Sequence, residues 1–327
     1  MPESPVAIGL IGAGIMGERL LRAITEQPPG LLRAGGIWDP SPQAMARIAA
    51  AFPMVPAAAD AAALIDRSDC VYIASPPASH LGHARAAIAA GKAVFCEKPL
   101  AVDVAQARDF VAEAGGRGAV NFPFASSPAI ATLRGWIESG AVGAAPRLEI
   151  SVAFAKWPRS WQVDAAGWLD GPAEGGFTRE VVSHFLFLAR RCFGALHGLE
   201  AQATFSEPGR SERAIAARLM AGEVPVTLTG SVGTTSKDDH NIWQLEGDAG
   251  AVRLYDWSHA ERRQPDGSWR RADVALPQDQ ARPLALKRQL EGVVRLVRGE
   301  PHHLATLEEA LDVQEIVEAI LKSGRPG

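Results

Sequence analysis

The stretch of residues 6–20, VAIGLIGAGIMGERL, decides the fold of this chain. It opens with an apolar run typical of a buried parallel strand and continues, after a glycine-rich turn, into a helical pattern. The turn has the G-x-G-x-x-G spacing of a dinucleotide-binding motif, in its expected place between strand and helix. Its glycines permit a tight turn, close approach of a pyrophosphate and close packing of the helix. The cofactor-binding residues predicted here are Gly12, Ala13, Gly14, Ile15, Met16 and Gly17.

An acidic residue, Asp39, follows the turn at about the 20-residue spacing at which a carboxylate binds the ribose hydroxyls of a dinucleotide. It ends a second strand, predicted over 31–38. A carboxylate at this position repels a 2′-phosphate, which favours NAD, with NADP as the alternative cofactor. The other interpretation is that Asp39 caps a helix beginning near Pro40.

Strand and helix patterns alternate through residue 122, which predicts a doubly wound parallel α/β sheet. Further strands are predicted at 70–74, 92–96 and 119–122, as the fourth, fifth and sixth. Ligands of such sheets lie beyond the carboxyl ends of the strands. The cofactor-binding residues predicted after the strand at 70–74 are Ser75, Pro76, Pro77 and His80. A partly exposed histidine in the first turn of a helix is the alternative interpretation of His80.

The charged pair Glu97 and Lys98, followed by Pro99, comes directly after the strand at 92–96. Burial of charges at a strand end is costly without a purpose. A lysine there can lie beside a nicotinamide and exchange a proton with a substrate hydroxyl. Both residues are predicted in the cofactor site, and Lys98 is predicted to be catalytic. An ion pair between the two is the alternative, although neighbours on a strand point in opposite directions.

From residue 123 the pattern changes to short strands at hairpin spacing, which predicts an α+β domain with a mostly antiparallel open sheet. We therefore predict a dinucleotide-binding domain over 1–122 and a substrate-binding and oligomerisation domain over 123–327, with the last helix free to return to the first domain. The predicted strands are 147–154, 199–205, 214–220, 224–231, 242–246 and 251–255, and the two closing helices are 283–298 and 307–322.

One segment of this domain, EGGFTREVVSH at 174–184, predicts a helix that opens at the glycines and continues to residue 192. Glu180 and His184 are four residues apart and share one face of such a helix. A carboxylate one turn before an imidazole can orient it and support its protonation, so both are catalytic candidates. The same spacing resembles half of a metal site, but no further ligand is evident and no metal is predicted. A solvent-facing pair is the remaining alternative, against which the apolar neighbours argue.

The residues predicted to line or cover a substrate site lie mostly before this segment. Tryptophan rings stack on sugar faces, but they are also ordinary core residues. Two arginines, Arg159 and Arg179, could instead hold a carboxylate. These observations favour a carbohydrate over an acidic or cyclic diol substrate. The substrate candidates are Lys156, Trp157, Arg159, Trp161, Trp168 and Arg179.

The order of motifs, GAGIMG, WD, SPP, CEKP, a Gly-Gly segment with acid-x-x-x-His, and LEGDAGAV at 245–252, resembles the Gfo/Idh/MocA oxidoreductase family. The resemblance implies a Rossmann domain followed by an open α+β domain, and a pyridine-nucleotide oxidoreductase acting on a sugar, cyclitol or related alcohol. It implies that Lys98 and His184 face the substrate from two domains. It also implies a homodimer or homotetramer built through the open sheet.

Two departures from the family pattern concern the substrate. Glu180 stands where the family usually has aspartate, and Ala125 stands where an arginine is common. Neither change removes the chemistry that the resemblance assigns to Lys98 and His184. The substrate of any individual family member is not transferred by the resemblance.

Composition limits the remaining function classes. The chain has 327 residues, 47% of them hydrophobic and 21% charged, with a net charge of −4, which is typical of a globular protein. Neither nucleic-acid binding nor a membrane span is expected. Unpaired cysteines and the lack of a basic leader favour the cytoplasm. Two other functions stay open: a non-catalytic regulator that senses NAD(P) or sugar, against which Lys98 and the acid–histidine pair argue, and an NAD-dependent glycosidase.

Overall fold

A computed structural model describes residues 4–162, 166–274 and 276–324. The chain divides into two compact units. The first comprises the residues up to Ser126 together with Pro283–Leu311, and the second comprises Ser127–Arg282 and the residues from Asp312 onward. The domain boundary at residue 122 stays a prediction.

The elements alternate in the first part of the chain and are strand-rich in the second. The helices are α1 (Ile15–Thr25), α2 (Pro42–Ala51), α3 (Ala61–Asp66), α4 (Pro77–Ala89), α5 (Val104–Ala114), α6 (Pro128–Glu138), α7 (Ala166–Leu169), α8 (Ser183–Phe193), α9 (Gln278–Val297) and α10 (Leu307–Lys322). The strands are β1 (Val6–Ile11), β2 (Leu32–Trp38), β3 (Cys70–Ile73), β4 (Ala93–Cys96), β5 (Gly118–Val120), β6 (Arg147–Phe154), β7 (Leu196–Thr204), β8 (Ala214–Ala221), β9 (Val224–Val232), β10 (His240–Glu246), β11 (Ala251–Tyr255), β12 (His259–Arg263), β13 (Trp269–Arg271) and β14 (Ala305–Thr306).

The sheet of the first unit has the order β14-β5-β4-β3-β1-β2, and its first five strands in the chain pair in parallel. All six residues of β1 are buried, because a central parallel strand is covered on both faces. Leu286, Leu290 and Val293 of α9 pack into the same core. The predicted doubly wound sheet is confirmed, with β14 added antiparallel at its edge.

The strand numbering predicted from the sequence is wrong by one, because the strand at Cys70 is the third and not the fourth. The chain between α2 and α3 forms only an isolated parallel bridge between Ile37 and Ala57. Pro56 interrupts this pairing, since it accepts a bond from Ile37 but has no N–H to donate. The bridge is therefore too short to count as a strand.

Local residues explain where two helices begin. α4 starts at Pro77, because proline fits the first helical position. α5 starts at Val104, since the Asp103 side chain accepts from the Gln106 amide as its N-cap. α9 starts at Gln278, before the start predicted at residue 283, and carries Pro283 inside it. In the described parts of the chain, no helix combines the length and apolar character that a membrane crossing needs.

The sheet of the second unit has the order β13-β12-β11-β10-β6-β9-β8-β7, in which β6 and β9 pair in parallel and all other neighbours are antiparallel. Buried and exposed residues alternate along β6, as expected for a sheet with one covered face. α6 packs against β11 and β12, and α8 packs against β8. The predicted mostly antiparallel sheet is confirmed.

The three cysteines are free thiols, two of them in the first-unit sheet. Cys70 and Cys96 are fully buried, and burial raises the pKa of both thiols. Burial likewise raises the pKa of Cys192 to about 12. A raised pKa keeps a thiol protonated, which is typical of cysteines that serve as small packing residues.

Candidate functional site

The glycine turn separates two packing roles from one open position. A Cβ on Gly12, whose φ is +105°, would lie 2.5 Å from the Ala74 carbonyl, and one on Gly17 would lie 2.0 Å from the Gly12 carbonyl oxygen. A Cβ on Gly14 would meet no atom within 4 Å. Gly12 and Gly17 are thus required by the close approach of the protein's own backbone. Gly14 leaves free the space through which a pyrophosphate approaches such a turn.

The start of α1 and the Asp39 carboxylate meet at this turn. Gly14 is the N-cap of α1 and supplies no side-chain cap, and Ile15 is 45% exposed. Asp39 accepts one hydrogen bond of 2.8 Å from the Ala13 amide and another of 2.8 Å from the Ser41 amide. The hydroxyl of Ser41 caps α2. The carboxylate is therefore fixed beside the turn, and this arrangement fits a dinucleotide.

The segment after β3 is tied to the segment after β4 by His80. This side chain is 1% exposed, and its ring nitrogens lie 2.7 Å from the Ser75 carbonyl oxygen and 2.9 Å from that of Pro99. Burial lowers the pKa of His80 and outweighs its contacts to the two carbonyls. The interpretation of a partly exposed histidine is wrong, because the ring fills the space between two loops. Ser75, Pro76 and Pro77 lie at the carboxyl end of β3, as predicted for a cofactor-facing segment.

Glu97 follows β4 and is held by side chains that the motif does not contain. Its Oε1 accepts from the Tyr72 hydroxyl and, at 2.6 Å, from the Asn121 amide. Asn121 in turn accepts from Gln289. Glu97 therefore has partners other than Lys98, which is half-buried and next in the chain. Sequence reasoning missed both partners of Glu97 and also Gln289, which bonds Asn121, since each looks like an ordinary residue of its segment.

In the second unit, the glycine pair precedes a π-helical turn, Thr178–Val182, and then α8. The continuous α-helix predicted here is wrong in its first turn. Gly176 has φ +100°, and a Cβ on it would lie 2.3 Å from an oxygen of Glu212, whose carboxylate accepts from the Thr178 amide at 2.7 Å. Burial raises the pKa of Glu212. Single π-helical turns are frequent at functional sites.

The two acid–base candidates lie on this continuous helical segment. Glu180 is half-buried within the π-helical turn, and His184 is 8% exposed in the first turn of α8. His184 contacts the ring of Trp257 edge to face, with 5.6 Å between ring centroids. Trp257 also packs against Phe185. The imidazole thus has an aromatic wall on one side.

Arg179 serves the scaffold of the second unit. It is 5% exposed, and its guanidinium donates to both carboxylate oxygens of Glu318 in α10, at 2.5 and 2.7 Å. It also donates to the carbonyls of Pro172 and Gly175. These contacts use the N–H groups with which the guanidinium would bind a substrate carboxylate. We therefore leave Arg179 out of the proposed substrate site.

Arg159 lies at the centre of a cluster of aromatic rings. It is 7% exposed, donates to Gln162 at 3.0 Å and pairs with Asp239 at 3.0 Å. Asp239 also accepts from the Trp257 indole at 3.2 Å. The guanidinium carbon lies 4.8 Å from the ring centroid of Trp161 and 5.9 Å from that of Trp257. We call Arg159, Trp161, Asp239 and Trp257 the Arg159 cluster.

The other predicted substrate residues have separate environments. Trp157 is 6% exposed and packs against Phe154 and Phe177, so it is a core residue that also flanks Arg159. Trp161 and Trp168 are 45% and 48% exposed, and Lys156 is exposed after β6. Sequence reasoning missed Asp239 and Trp257, and the loops that carry them show no motif. Among the described residues, no three His, Cys, Asp or Glu side chains come together as a metal site.

Comparison with proteins of known sequence gives partial matches. The chain is 29% identical over 210 residues to levoglucosan dehydrogenase of Pseudarthrobacter phenanthrenivorans, covering 59% of this chain and 53% of that protein. It is 36% identical over 147 residues to inositol 2-dehydrogenase of Acidothermus cellulolyticus, covering 43% of each. The chain therefore spans about half the length of the curated relatives it matches.

Solved structures match over almost the whole chain. An oxidoreductase from Agrobacterium radiobacter, in complex with NAD⁺, L-tartaric acid and magnesium, has a TM-score of 0.82 at 21% identity and covers 98% of this chain and 96% of its own. Levoglucosan dehydrogenase in complex with NADH and levoglucosan has a TM-score of 0.81 at 19% identity, covering 98% and 97%. At these identities the likeness establishes the fold alone.

A family model described as an oxidoreductase family with an NAD-binding Rossmann fold matches residues 6–123. The match covers the glycine turn, Asp39, the Ser-Pro-Pro segment and the Glu-Lys-Pro triplet, whose geometry is given above. Residues 6–123 thus match the NAD-binding Rossmann part of the Gfo/Idh/MocA oxidoreductase family, the family that the sequence motifs indicated.

Proposed function

We propose that this protein is an NAD-dependent oxidoreductase that exchanges a hydride with a hydroxyl-bearing carbon of a neutral sugar, cyclitol or related polyol. The observation that carries the proposal is the glycine turn, where Gly14 leaves open space at the start of α1 and Asp39 is fixed beside it. Such a site suits a pyrophosphate at the helix start and a ribose diol at the carboxylate. The family match of residues 6–123 supports the same assignment.

The neutral character of the substrate is supported by the Arg159 cluster. A guanidinium that is already paired with a carboxylate does not offer an uncompensated positive charge to an acidic substrate. An exposed indole beside planar polar groups suits a sugar, whose C–H face packs on the ring while its hydroxyls reach the polar edges. Levoglucosan and inositol, which appear in the names of two relatives, are neutral polyols.

The proposed chemistry assigns proton transfer to this chain. NAD, when bound, supplies the hydride acceptor for oxidation of the alcohol to a carbonyl. His184 takes the hydroxyl proton in that direction and returns it in reduction, since an imidazole ordinarily titrates near neutral pH. Glu180, one helical turn earlier, supports the protonated imidazole, and Lys98 orients the hydroxyl and shares the proton.

The test is a panel of neutral sugars, cyclitols and hydroxy acids, each offered with NAD and with NADP, followed by the absorbance of the reduced nicotinamide. We expect turnover of neutral polyols with NAD. Cofactor binding without turnover of any panel member would favour a sensor. Release of a cleaved sugar without net NADH would favour a glycosidase.

Two matched variants separate chemistry from folding. Lys98→Met is expected to lower kcat by roughly 10²–10⁴-fold, the usual contribution of an acid–base group. Lys92→Met alters a lysine at the other end of β4, whose ammonium bonds the Asp66 carbonyl at 3.0 Å, and it should leave kcat unchanged. Wild-type turnover by a folded Lys98→Met protein would refute the role of Lys98.

We also infer that the chain assembles as a homodimer or homotetramer through the uncovered face of the second-unit sheet. Glu149, Thr227 and Arg218 are exposed on alternating positions of β6, β9 and β8, respectively. Sedimentation at micromolar concentration should give a dimer or tetramer, and a monomer would contradict the inference.

A further inference from the structure

We propose that Tyr72, Asn121 and Gln289 are positioning residues that hold the Glu97 carboxylate at the end of β4 and, through it, fix the adjoining Lys98 for proton transfer. The proposal rests on the proposed function for the role of Lys98. It concerns residues of the first unit alone, and nothing in the family motif assigns these three side chains a part.

The four side chains form one hydrogen-bonded chain. The Tyr72 hydroxyl and the Asn121 amide both donate to the same oxygen of Glu97, and the Asn121 nitrogen lies 3.3 Å from the Tyr72 oxygen. The Gln289 amide donates to the Asn121 carbonyl oxygen at 2.6 Å. Tyr72 and Gln289 are fully buried, and Asn121 is 1% exposed. These hydrogen bonds join β3, the end of β4, the residue after β5, and α9.

The donors and acceptors of these hydrogen-bonded side chains can be arranged in only one order while Glu97 is ionised. A carboxylate only accepts, so Asn121 must turn its NH₂ group toward Glu97. Its carbonyl oxygen then faces Gln289, which must donate its own NH₂ group. Burial and the charge of Glu97 raise the pKa of Tyr72 well above its ordinary value, so the hydroxyl stays a donor. Gln289 thereby fixes the amide that fixes the carboxylate.

Backbone hydrogen bonds also fix the segment that adjoins Lys98. The Glu97 amide donates to Ile73 of β3 at 2.9 Å, and the Asn121 amide donates to Cys96 of β4 at 2.7 Å. Glu97 is therefore held by both backbone and side chain. Lys98 follows Glu97 directly, in a bend after β4, so a fixed Glu97 restrains the backbone from which the Lys98 side chain extends.

The polar network does not stabilise the fold better than apolar side chains would. Its polar groups lie among the apolar residues of the sheet, where apolar side chains of the same shape are often as stabilising or more so. In the described chain, the Gln289 Oε1 atom is buried without a hydrogen-bond partner. An unsatisfied buried acceptor destabilises the fold. A role in the adjoining site accounts for a polar arrangement that packing does not require.

The test compares Gln289→Leu with Gln289→Glu in the full chain. Hydrogen–deuterium exchange of the peptide over 94–100 measures local order without any substrate. In Gln289→Leu, the amides of Glu97, Lys98 and Leu100 should exchange at least about tenfold faster, while β1 stays protected. Gln289→Glu can donate only while its carboxyl is protonated, so it should resemble wild type at low pH and Gln289→Leu at high pH.

Turnover supplies a second readout. On a substrate found in the panel, Gln289→Leu should lower kcat by about tenfold and leave KM for NAD within about twofold. Ser68→Ala is the control, because it removes another buried hydrogen bond of this unit, from Ser68 to the Leu64 carbonyl, away from Glu97. It should lower stability without changing exchange over 94–100.

The outcomes distinguish the two proposals. Unchanged exchange over 94–100 in Gln289→Leu, or faster exchange spread evenly through the first unit, would overturn the positioning role even if the enzyme turns over. Locally faster exchange in a protein that turns over no panel substrate would leave the positioning of Glu97 supported and count against the proposed function.

Discussion

The glycine turn and the Arg159 cluster are built for ligands of opposite character. The turn offers backbone: Gly14 leaves space, the Asp39 carboxylate accepts from two main-chain amides, and Arg47 donates to the Ala13 carbonyl. The cluster offers crowded side chains whose charges cancel, since Arg159 is paired with Asp239 among indole rings. The glycine turn therefore suits a charged phosphate chain, and the Arg159 cluster suits a neutral, hydroxyl-rich molecule.

The largest effect is expected from Asp239→Ala, which breaks the neutrality of the Arg159 cluster. Arg159 would stay buried without its carboxylate, and the Trp257 indole would lose its acceptor. Removing one partner of a buried ion pair costs about 3 kcal/mol of the free energy of unfolding. Urea unfolding at neutral pH measures the loss.

The control for this variant is a more exposed ion pair of the same unit. Arg190 and Asp312 are 25% and 32% exposed, and such pairs contribute at most about 1 kcal/mol. Asp312→Ala should therefore cost far less than Asp239→Ala. Equal losses in the two variants would show that the Arg159 pair is solvated and that the cluster is not closed.

The next effect separates two glycines of the turn. Gly17→Ala places a methyl group 2.0 Å from the Gly12 carbonyl oxygen, so it should destabilise the fold by about 1–3 kcal/mol. Gly14→Ala meets no protein atom, so it should change stability by under about 1 kcal/mol but weaken NAD binding at least about tenfold. Thermal unfolding and calorimetric titration with NAD measure the two effects. Unchanged NAD affinity in Gly14→Ala would contradict a phosphate at this position.

A smaller effect concerns the choice of cofactor. Asp39→Asn removes the charge that repels a 2′-phosphate and keeps one of the two main-chain hydrogen bonds. The ratio of NADP to NAD affinity should rise about tenfold, which corresponds to about 1.4 kcal/mol. Asp60→Asn, at the N-cap of α3, is the matched control and should leave the ratio unchanged. If Asp39→Asn also leaves the affinity ratio unchanged, Asp39 serves only to accept the hydrogen bonds of the Ala13 and Ser41 amides.

The two regions also differ in how far the sequence alone could define them. The turn, Asp39 and the residues after β3 and β4 are adjacent to strand ends, so spacing and strand polarity were enough to predict them. Arg159 was predicted but its partner was not, because Asp239 lies 80 residues away and reaches it only through the fold of the sheet.

Distance along the chain also explains the other misses. Gln289 is 168 residues from Asn121, and a lone glutamine in a helix carries no local signal. His80 was predicted near the crevice, but its burial depends on the loop that ends at Pro99. The missing third strand has a local cause, since Pro56 removes the donor that a ladder would need.

The smallest expected effect is a pH dependence of opposite sign in the two units. Burial lowers the pKa of His80 from about 6.5, so the unfolded chain takes up a proton before the folded one as the pH falls. The contribution of His80 to stability is therefore lost as the pH drops below that value. Burial raises the pKa of Glu212 from about 4.5, so its contribution is lost as the pH rises from that value through the raised pKa.

The measurement is urea unfolding between pH 5 and 8, near the values above, for wild type, His80→Gln and Glu212→Gln. The difference in free energy of unfolding between wild type and His80→Gln should shrink as the pH falls, and that between wild type and Glu212→Gln should shrink as the pH rises. A tenfold difference in proton affinity between folded and unfolded chain is worth about 1.4 kcal/mol. If the two differences in free energy of unfolding changed with pH in the same direction, one of the two side chains would be solvated. The solvated region would then be the loop junction at Pro99, for His80, or the start of the π-helical turn, for Glu212.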